Sequence, residues 1–276
     1  MTSRTIAIIC VHHAGCPCNM DALSTIARDA GLHLIEDCAQ AHGAEYRGRK
    51  TGTLGDVAAF SFCQDKIMTT GGEGGFLATN DETIWRRAWS FKDHGKSWEK
   101  MQNQQPQPRC PLLSESIGSN YRMTEMQAAI GRHLVPLLDT WVRRRREIAQ
   151  QLDACFGHYD FIRVPQYDDH LYHARYEYYV FVIPEALPDG VTGGEIRDAL
   201  QSAGIRCNAG SCSEVHQEKA FAGVPNLPEQ LPVADELRDT SIKLSISSAM
   251  SDAFVDMLCA AISDCLDREL ERESRS

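Results

Sequence analysis

Apolar runs and a helical pattern alternate along the beginning of the chain. Residues 6–11 form a continuous apolar run between polar residues, which is typical of a strand buried in a parallel sheet. Asn19 can cap a helix that ends at Gly31, and residues 33–37 are predicted to form the next strand. Strand, helix and strand at this spacing predict a right-handed βαβ unit.

Two further strands are predicted at residues 57–62 and 75–79, on either side of a glycine-rich loop. Ligands of parallel sheets bind at the carboxyl ends of the strands. Asp37 and Ser61 fall at such ends. We therefore expect a ligand site there.

Helical patterns predominate in the middle of the chain. Residues 82–90 and 124–156 are predicted to be helical, and Pro136 predicts a kink or break in the second segment. Residues 101–113 are rich in glutamine and proline and predict an exposed loop. The basic run at residues 143–146 is interpreted as a solvated helix face, with contact to an anionic substrate as the alternative.

The last part of the chain has a different pattern. Residues 172–183 are rich in aromatic and β-branched side chains, residues 193–203 are predicted to be helical, and residues 251–270 predict an amphipathic closing helix. We therefore predict two domains, a large one over residues 1–156 and a smaller α+β one over residues 157–276.

Composition narrows the function classes. A chain of 276 residues with 43% hydrophobic residues can bury a large core. The net charge of −10 argues against a nucleic-acid surface. No apolar run has the length of a membrane span, and residues 1–15 lack the pattern of a signal peptide. These features predict a cytoplasmic protein that binds neither nucleic acid nor membrane.

The eleven cysteines do not predict a disulfide framework, because they are scattered and odd in number. Cys16 and Cys18 form a CxC pair, but no second cysteine or histidine pair follows at the spacing of a zinc site. We expect no metal site.

The pairing of Lys66 with Asp37 is the main candidate for chemistry. Lys66 lies in SFCQDKIMTTGGEGGFLAT, and Asp37 ends the strand in HLIEDCAQAHGA. Pyridoxal 5'-phosphate needs an amine that forms a Schiff base and a carboxylate that keeps the ring nitrogen protonated. Taken singly, a lysine beside glycines is usually solvated and an aspartate after a strand is usually a cap. The interpretation therefore depends on the ordered set.

The ordered set resembles the sugar aminotransferases of the DegT/DnrJ/EryC1/StrS family, a branch of the fold-type I pyridoxal phosphate enzymes. The resemblance weakens after about Tyr172 and is carried by four motifs, IAIICVHHAGCPCNMDAL, IEDCAQAHGA, GDVAAFSFCQDKIMTTGGEGG and GSNYRMTEMQAAIG. It implies an α/β fold in which a mostly parallel sheet with flanking helices binds the cofactor, followed by a smaller α+β C-terminal lobe.

The resemblance also implies roles for individual residues. Lys66 would be the Schiff-base lysine, and Asp37 the carboxylate at the pyridinium nitrogen. Gln40 would face the phenolic oxygen of the cofactor, and Ser61 would bind its phosphate. Asn120 matches an asparagine that reaches the phosphate from the other subunit, so a homodimer is implied.

Two histidines are open to two interpretations. His12 and His42 match histidines near the cofactor ring in this family, and His42 is included among the expected cofactor-binding residues. For each of them, a hydrogen-bonded histidine of the core or of a turn is an equally good interpretation.

The implied reaction is ping-pong transamination. Glutamate or glutamine would donate an amino group, and a nucleotide-linked keto sugar would accept it, in the biosynthesis of amino sugars, polysaccharides or glycosylated metabolites. Lys66, once released from the cofactor, would act as general base and acid in the proton shift. Related dehydratases have histidine at the lysine position, so Lys66 argues against their chemistry.

The chain departs from the family pattern at its beginning. A Ser-Gly-Thr turn that grips the phosphate precedes the first motif in the family, and it is expected to be missing here together with roughly a hundred residues, at about 30 per βαβ unit. The large domain would then be incomplete at its N-terminus. Two alternatives to an active enzyme follow, an inactive remnant or split product and an accessory subunit that pairs with a full-length homologue.

Overall fold

The computed structural model describes residues 1–103, 113–188, 190–210, 215–225, 227–228 and 230–271. The chain divides into two compact units, of which the first comprises Met1–Val142 with Asp169–Ala174 and the second Arg143–Asp168 with Arg175–Ser276. A compact unit is not by itself a domain that folds alone. The division into domains at residues 1–156 and 157–276 therefore stays a prediction.

The elements are numbered in chain order. The described strands are β1 (Ala7–Val11), β2 (His33–Asp37), β3 (Glu45–Tyr46), β4 (Arg49–Lys50), β5 (Val57–Ser61), β6 (Gly75–Thr79), β7 (Ile162–Arg163), β8 (Leu171–Tyr172), β9 (Glu177–Val182), β10 (Cys207–Asn208) and β11 (Ser241–Ser245). The described α-helices are α1 (Met20–Ala30), α2 (Glu82–Lys92), α3 (Trp98–Gln102), α4 (Glu125–Leu134), α5 (Leu138–Phe156), α6 (Gly193–Ser202), α7 (Pro232–Thr240) and α8 (Asp252–Glu271).

The first unit contains a four-stranded sheet in the order β1-β2-β5-β6. β1, β2 and β5 are parallel, whereas β6 is antiparallel to β5. The predicted βαβ unit is confirmed. The side chain of Asn19 accepts a hydrogen bond from the backbone N–H of Ala22, and Gly31 ends α1 with a left-handed φ of 64°.

The two faces of this sheet differ in burial. Helix α1 covers one face, where Cys10, Met20 and Leu34 belong to a buried cluster. Successive side chains of a strand point to opposite faces. On the other face Ile9 is 66% exposed and Leu77 is 43% exposed.

The long helical segment after residue 124 is interrupted as predicted. The 3-10 turn Val135–Leu137, which contains Pro136, separates α4 from α5. A capping box between Thr124 and Gln127 starts α4. Most of the predicted loop at residues 101–113 lies outside the described residues.

The second unit is built on an antiparallel sheet in the order β10-β11-β9-β7. Its buried core brings this sheet together with α5, α6 and α8, as predicted for an α+β C-terminal part. None of the described helices is long and apolar enough to cross a membrane.

The prediction of a solvated basic run is wrong for Arg145. Arg145 is 7% exposed, and its NH1 donates hydrogen bonds to the carbonyl oxygens of Tyr176 at 3.0 Å and Ile246 at 2.7 Å. Arg144 binds the carboxylate of Asp252 at 2.7 Å. Arg145 thus holds two backbone segments of the second unit together, because a guanidinium can donate to several acceptors at once.

Candidate active site

The sheet of the first unit brings Asp37 and Ser61 onto one face. Asp37 lies opposite Ala59 in the parallel pairing of β2 and β5. Ser61 is two residues further along β5, so its side chain points to the same side, about 7 Å further along the strand. The two predicted ligand residues therefore meet at the carboxyl ends of neighbouring strands.

Both side chains keep polar atoms for a ligand. Oδ1 of Asp37 accepts a hydrogen bond from the backbone N–H of Ala39 at 3.0 Å. Oδ2 of Asp37 has no hydrogen-bond partner within the described part of the chain. Oγ of Ser61 accepts a hydrogen bond from the backbone N–H of Cys63 at 3.2 Å, which leaves its hydroxyl hydrogen to donate.

Lys66 lies in the loop that joins β5 to β6. Its backbone N–H donates to the carbonyl oxygen of Cys63 at 3.1 Å, and the next two residues, Ile67 and Met68, are buried. The Lys66 side chain is 16% exposed, with Nζ 3.5 Å from a carboxylate oxygen of Asp65. The amine is thus held on a fixed loop and largely shielded from water.

The glycines that follow Lys66 are needed for this loop. Gly72 has a φ of 140°, which side-chain-bearing residues rarely adopt. A Cβ at Gly75 would lie 2.7 Å from the carbonyl oxygen of Phe60 on the paired strand. The close approach of β6 to β5 therefore requires glycine at the start of β6.

Gln40 is held through its amide oxygen. Its Oε1 accepts a hydrogen bond from the backbone N–H of Ala14 at 2.6 Å. Because a backbone N–H can only donate, the amide oxygen must face Ala14, and the Nε2 hydrogens point elsewhere. Gln40 is thereby fixed as a donor, as its predicted position at a phenolic oxygen requires.

His42 is a buried histidine whose ring nitrogens both lack a hydrogen-bond partner among the described residues. It is 3% exposed, and its ring centroid lies 5.6 Å from that of Phe60 and 5.8 Å from that of Phe62. Burial, assisted by the charge of Lys66, lowers the pKa of His42 to about 4. A neutral ring with an unused donor and acceptor is rare in a protein interior and marks His42 as a ligand-binding candidate.

His12, in contrast, is a fully hydrogen-bonded core histidine. Its Nδ1 accepts from the backbone N–H of Cys18 at 3.0 Å, and its Nε2 donates to Glu36 at 3.0 Å. The Glu36 carboxylate is buried and also accepts from the backbone N–H groups of Gly52, Leu54 and Gly55 at 2.8, 2.7 and 2.6 Å. Of the two interpretations of His12, the structure supports the structural one.

The donor atoms of His12, Glu36 and Cys38 lie within 4.8 Å of one another, a geometry that resembles a metal site. Both nitrogens of His12 and both oxygens of Glu36 already take part in the hydrogen bonds just described. A metal ion would have to displace at least one of them. The cluster therefore supports packing rather than metal binding.

Asn120 lies on a different segment of the first unit. It pairs with Asp93 through an isolated antiparallel β-bridge, and its Oδ1 accepts a hydrogen bond from Nε of Arg122 at 3.0 Å. The residue is exposed. Its described side-chain contact is thus with Arg122 rather than with Asp37, Ser61 or Lys66.

Comparison with known proteins identifies the family. The model of the DegT/DnrJ/EryC1/StrS aminotransferase family matches residues 1–263. The chain belongs to this family.

Similar members include sugar aminotransferases. GDP-perosamine synthase of Escherichia coli O157:H7 is 41% identical over 149 residues, which are 54% of this chain and 38% of the relative. dTDP-3-amino-3,4,6-trideoxy-alpha-D-glucose transaminase of Streptomyces venezuelae is 33% identical over 249 residues, which are 89% of this chain and 60% of the relative. The chain thus spans between a third and two thirds of the length of these relatives.

Solved structures of family members show the same fold. The aminotransferase from Psychrobacter cryohalolentis superposes with a TM-score of 0.92 at 40% identity, covering 97% of this chain and 70% of that protein. DesV of S. venezuelae, solved in complex with a ketimine intermediate, superposes with a TM-score of 0.81 at 30% identity, covering 96% of this chain and 66% of that protein. The predicted α/β aminotransferase fold is confirmed.

Three residues of this family member were missed as functional candidates by the sequence analysis. Glu36 precedes Asp37 but points to the opposite face of β2, where it binds the turn at residues 52–55. Asp93 and Arg122 surround Asn120. The glycines of TGTLGD and the arginine of SNYRM could have drawn attention to these residues. Neither motif shows which residues are hydrogen-bonded to each other.

Proposed function

We propose that this protein is a pyridoxal 5'-phosphate-dependent aminotransferase that transfers an amino group from glutamate or glutamine to a nucleotide-linked keto sugar. The observation that carries the proposal is that Asp37 and Ser61 share one face of the sheet at the carboxyl ends of β2 and β5, with Lys66 in the loop that follows β5. The names of the relatives, a GDP-perosamine synthase and a dTDP-amino-sugar transaminase, support the substrate class. We further propose that it acts as a cytoplasmic homodimer in amino-sugar or polysaccharide biosynthesis.

The polar atoms of the site fit the cofactor. The unpaired Oδ2 of Asp37 suits a protonated ring nitrogen, and the Nε2 of Gln40 suits a phenolic oxygen. The hydroxyl of Ser61 suits a phosphate, to which Asn120 of the partner subunit would add a second donor. His42 would supply a further ring contact through one of its two unpaired nitrogens.

The cofactor, when bound, supplies an electron sink that stabilises a carbanion next to the transferred nitrogen. Asp37 would hold the proton on the ring nitrogen. Lys66 would first anchor the cofactor and then take up and return the substrate proton, for which its shielded position on a fixed loop is suited. His42 stays uncharged near Lys66, so it does not repel the ammonium form of the lysine.

Borohydride labelling tests this function. The protein loaded with pyridoxal phosphate is reduced with borohydride, digested and analysed by mass spectrometry, and the cofactor mass is expected on Lys66. Lys66→Ala is expected to remove the label and amino transfer from glutamate. Lys50→Ala is the matched control, because Lys50 pairs with Glu45 and Asp139. This variant is expected to keep both the label on Lys66 and amino transfer. Labelling of another lysine, with Lys66 unmodified, would show that the proposal is wrong.

A further inference from the structure

We propose that Arg122 and Asp93 are positioning residues that fix the amide of Asn120 as a hydrogen-bond donor toward a phosphate group. The inference rests on the proposed function, in which Asn120 contacts the cofactor phosphate of the partner subunit. It adds two residues that act through Asn120 and do not touch the ligand themselves.

The orientation of the Asn120 amide follows from the chemistry of Arg122. Nε of Arg122 lies 3.0 Å from Oδ1 of Asn120. A guanidinium has donors and no acceptor, so the atom that faces it must be the amide oxygen. The two hydrogens on Nδ2 therefore point away from Arg122. An anion that approaches this exposed side chain meets donors rather than a carbonyl oxygen.

Arg122 is itself held in place by neighbouring groups. Its NH1 lies 3.2 Å from Oδ1 of Asp93, a residue that is 8% exposed. Its NH2 lies 3.4 Å from Nε2 of His94. Lys96 binds the same carboxylate at 3.1 Å. The contacts of Arg122 with Asp93 and His94 favour the orientation in which Nε faces Asn120, and Lys96 pairs with the Asp93 carboxylate rather than with Arg122.

The backbone around Asn120 is also fixed. The N–H groups of Ser119 and Tyr121 donate to the carbonyl oxygens of Phe91 and Lys92 at 2.7 and 2.9 Å. A side chain on a paired backbone with a fixed amide loses little conformational freedom when it binds a ligand, and such preorganisation strengthens binding. A free asparagine could turn its carbonyl oxygen toward the phosphate, which would repel it.

A double-mutant cycle tests the proposal. The dissociation constant for pyridoxal 5'-phosphate is measured by spectroscopic titration in the wild type, Arg122→Met, Asn120→Ala and the double variant. We expect Arg122→Met to weaken binding roughly three- to tenfold and Asn120→Ala roughly tenfold or more. The double variant is expected to match Asn120→Ala, because Arg122 has nothing to position once the amide is gone.

Two further variants separate positioning from charge and folding. Lys96→Met removes a cation from Asp93 without touching Asn120 and is expected to leave the dissociation constant unchanged. Arg122→Lys keeps the charge, but an ammonium lacks the planar fork that joins Asp93 to Asn120. We expect it to bind the cofactor as weakly as Arg122→Met. The ³¹P resonance of the bound cofactor is expected to shift in both Arg122 variants and not in Lys96→Met.

Each contrary result has a defined meaning. An equal loss from Arg122→Met with and without Asn120 would show that Arg122 binds the ligand directly, and the proposal would be wrong. Full affinity in Arg122→Lys would assign the effect to charge and overturn it as well. If Asn120→Ala binds normally while borohydride still labels Lys66, this inference fails and the proposed function stands. Absence of label on Lys66 would instead remove the proposed function.

Discussion

At the scale of single residues, His12 and His42 differ in whether the protein itself supplies their hydrogen bonds. Both are buried, but His12 uses both nitrogens within the protein and His42 uses neither within the described residues. An unpaired buried polar group is unfavourable by about 1–3 kcal/mol. The fold leaves these hydrogen bonds of His42 unmade among the described residues, and the proposed cofactor would supply a partner for one of them.

The pKa of His42 gives a first prediction. Burial lowers it from the ordinary value of 6.5 to about 4, so the folded protein keeps the ring neutral while the unfolded chain protonates it as the pH falls below 6.5. The free energy of unfolding is therefore expected to be highest above pH 6.5, the pKa of His42 in the unfolded chain. It is expected to fall by about 3 kcal/mol as the pH drops to about 4, the pKa in the folded protein. The free energy of unfolding, measured with urea at neutral pH and at pH ~4.5, gives this loss.

His42→Gln is the control for that measurement, because it removes the titrating ring. The difference in stability between the two pH values is expected to be smaller in this variant than in the wild type. An NMR titration in which the His42 resonances move with an ordinary histidine pKa would contradict the prediction.

Asp37 gives a second prediction. Asp37→Asn preserves the size of the side chain and its contact with Ala39, but an amide does not keep a pyridine nitrogen protonated. We expect the variant to retain cofactor and to lose amino-transfer rate by about a hundredfold or more, as is typical when electrostatic stabilisation is removed. Single-turnover kinetics with glutamate measures the rate. A variant with wild-type turnover would assign Asp37 a structural role.

At the scale of elements, the site depends on how β2 is tied to the turn before β5. Glu36 makes this connection, because its two oxygens accept the N–H groups of Gly52, Leu54 and Gly55 as well as His12. Asp37 is the next residue on the strand, so the same strand end carries the structural and the proposed catalytic carboxylate.

Glu36→Gln gives a third prediction. An amide has a single oxygen, and its NH₂ group would face backbone donors, so the variant is expected to lose about 3 kcal/mol of stability. Glu45→Gln is the matched control. Its carboxylate pairs with Lys50 at the surface, and the loss is expected to stay within about 1 kcal/mol. Equal losses of unfolding free energy in both variants, measured by urea unfolding, would show that the buried Glu36 carboxylate stabilises the fold no more than the surface pair does.

The sequence predicted the longer strands of the first unit but missed α7 and β11 of the second unit as well as the two-residue strands. β2 and β6 were predicted at their observed bounds, because each is a short segment with apolar residues at its centre and turn residues nearby. β3 and β8 have two residues each and pair across more than a hundred residues of sequence. Two residues show no periodicity, so such a pairing leaves no local signal.

For the candidate site, the sequence predicted residues but not their hydrogen bonds. Lys66, Asp37, Gln40, Ser61, His42 and Asn120 came from ordered motifs. Motifs carry residue types and not bonds, so the use of both His12 nitrogens and the fixing of Asn120 by Arg122 were visible only in three dimensions. The burial of Arg145 was mispredicted because a run of four arginines has the composition of a solvated surface.

At the scale of the whole molecule, the segment around Asn120 has the character of an interface. Ile117, Tyr121 and Met126 are 94%, 70% and 77% exposed. Exposed apolar side chains grouped along a segment are typical of protein–protein contact. This agrees with the proposed homodimer, in which Asn120 serves the partner's site.

Subunit mixing gives a fourth prediction. At a cofactor concentration that fills wild-type sites but not Asn120→Ala sites, Asn120→Ala and Lys66→Ala chains are each expected to have low activity. Equal mixing is expected to restore about a quarter of wild-type activity, because half of the dimers are mixed and each mixed dimer has one intact site. Gln40→Ala with Lys66→Ala is the control pair. Both residues belong to their own subunit's site, so this mixture is expected to stay inactive. Mixed dimers that form without regaining activity would place Asn120 in its own subunit's site.

The antiparallel join of β5 and β6 affects the order in which the site is built. Because these strands are consecutive in the chain, the loop with Lys66 closes through local contacts, whereas Asp37 reaches its place through the crossover from β1 to β2. Local pairings form faster than distant ones. We expect the β5–β6 hairpin to gain hydrogen-exchange protection early in refolding, so that the loop with Lys66 is formed before the strand end with Asp37.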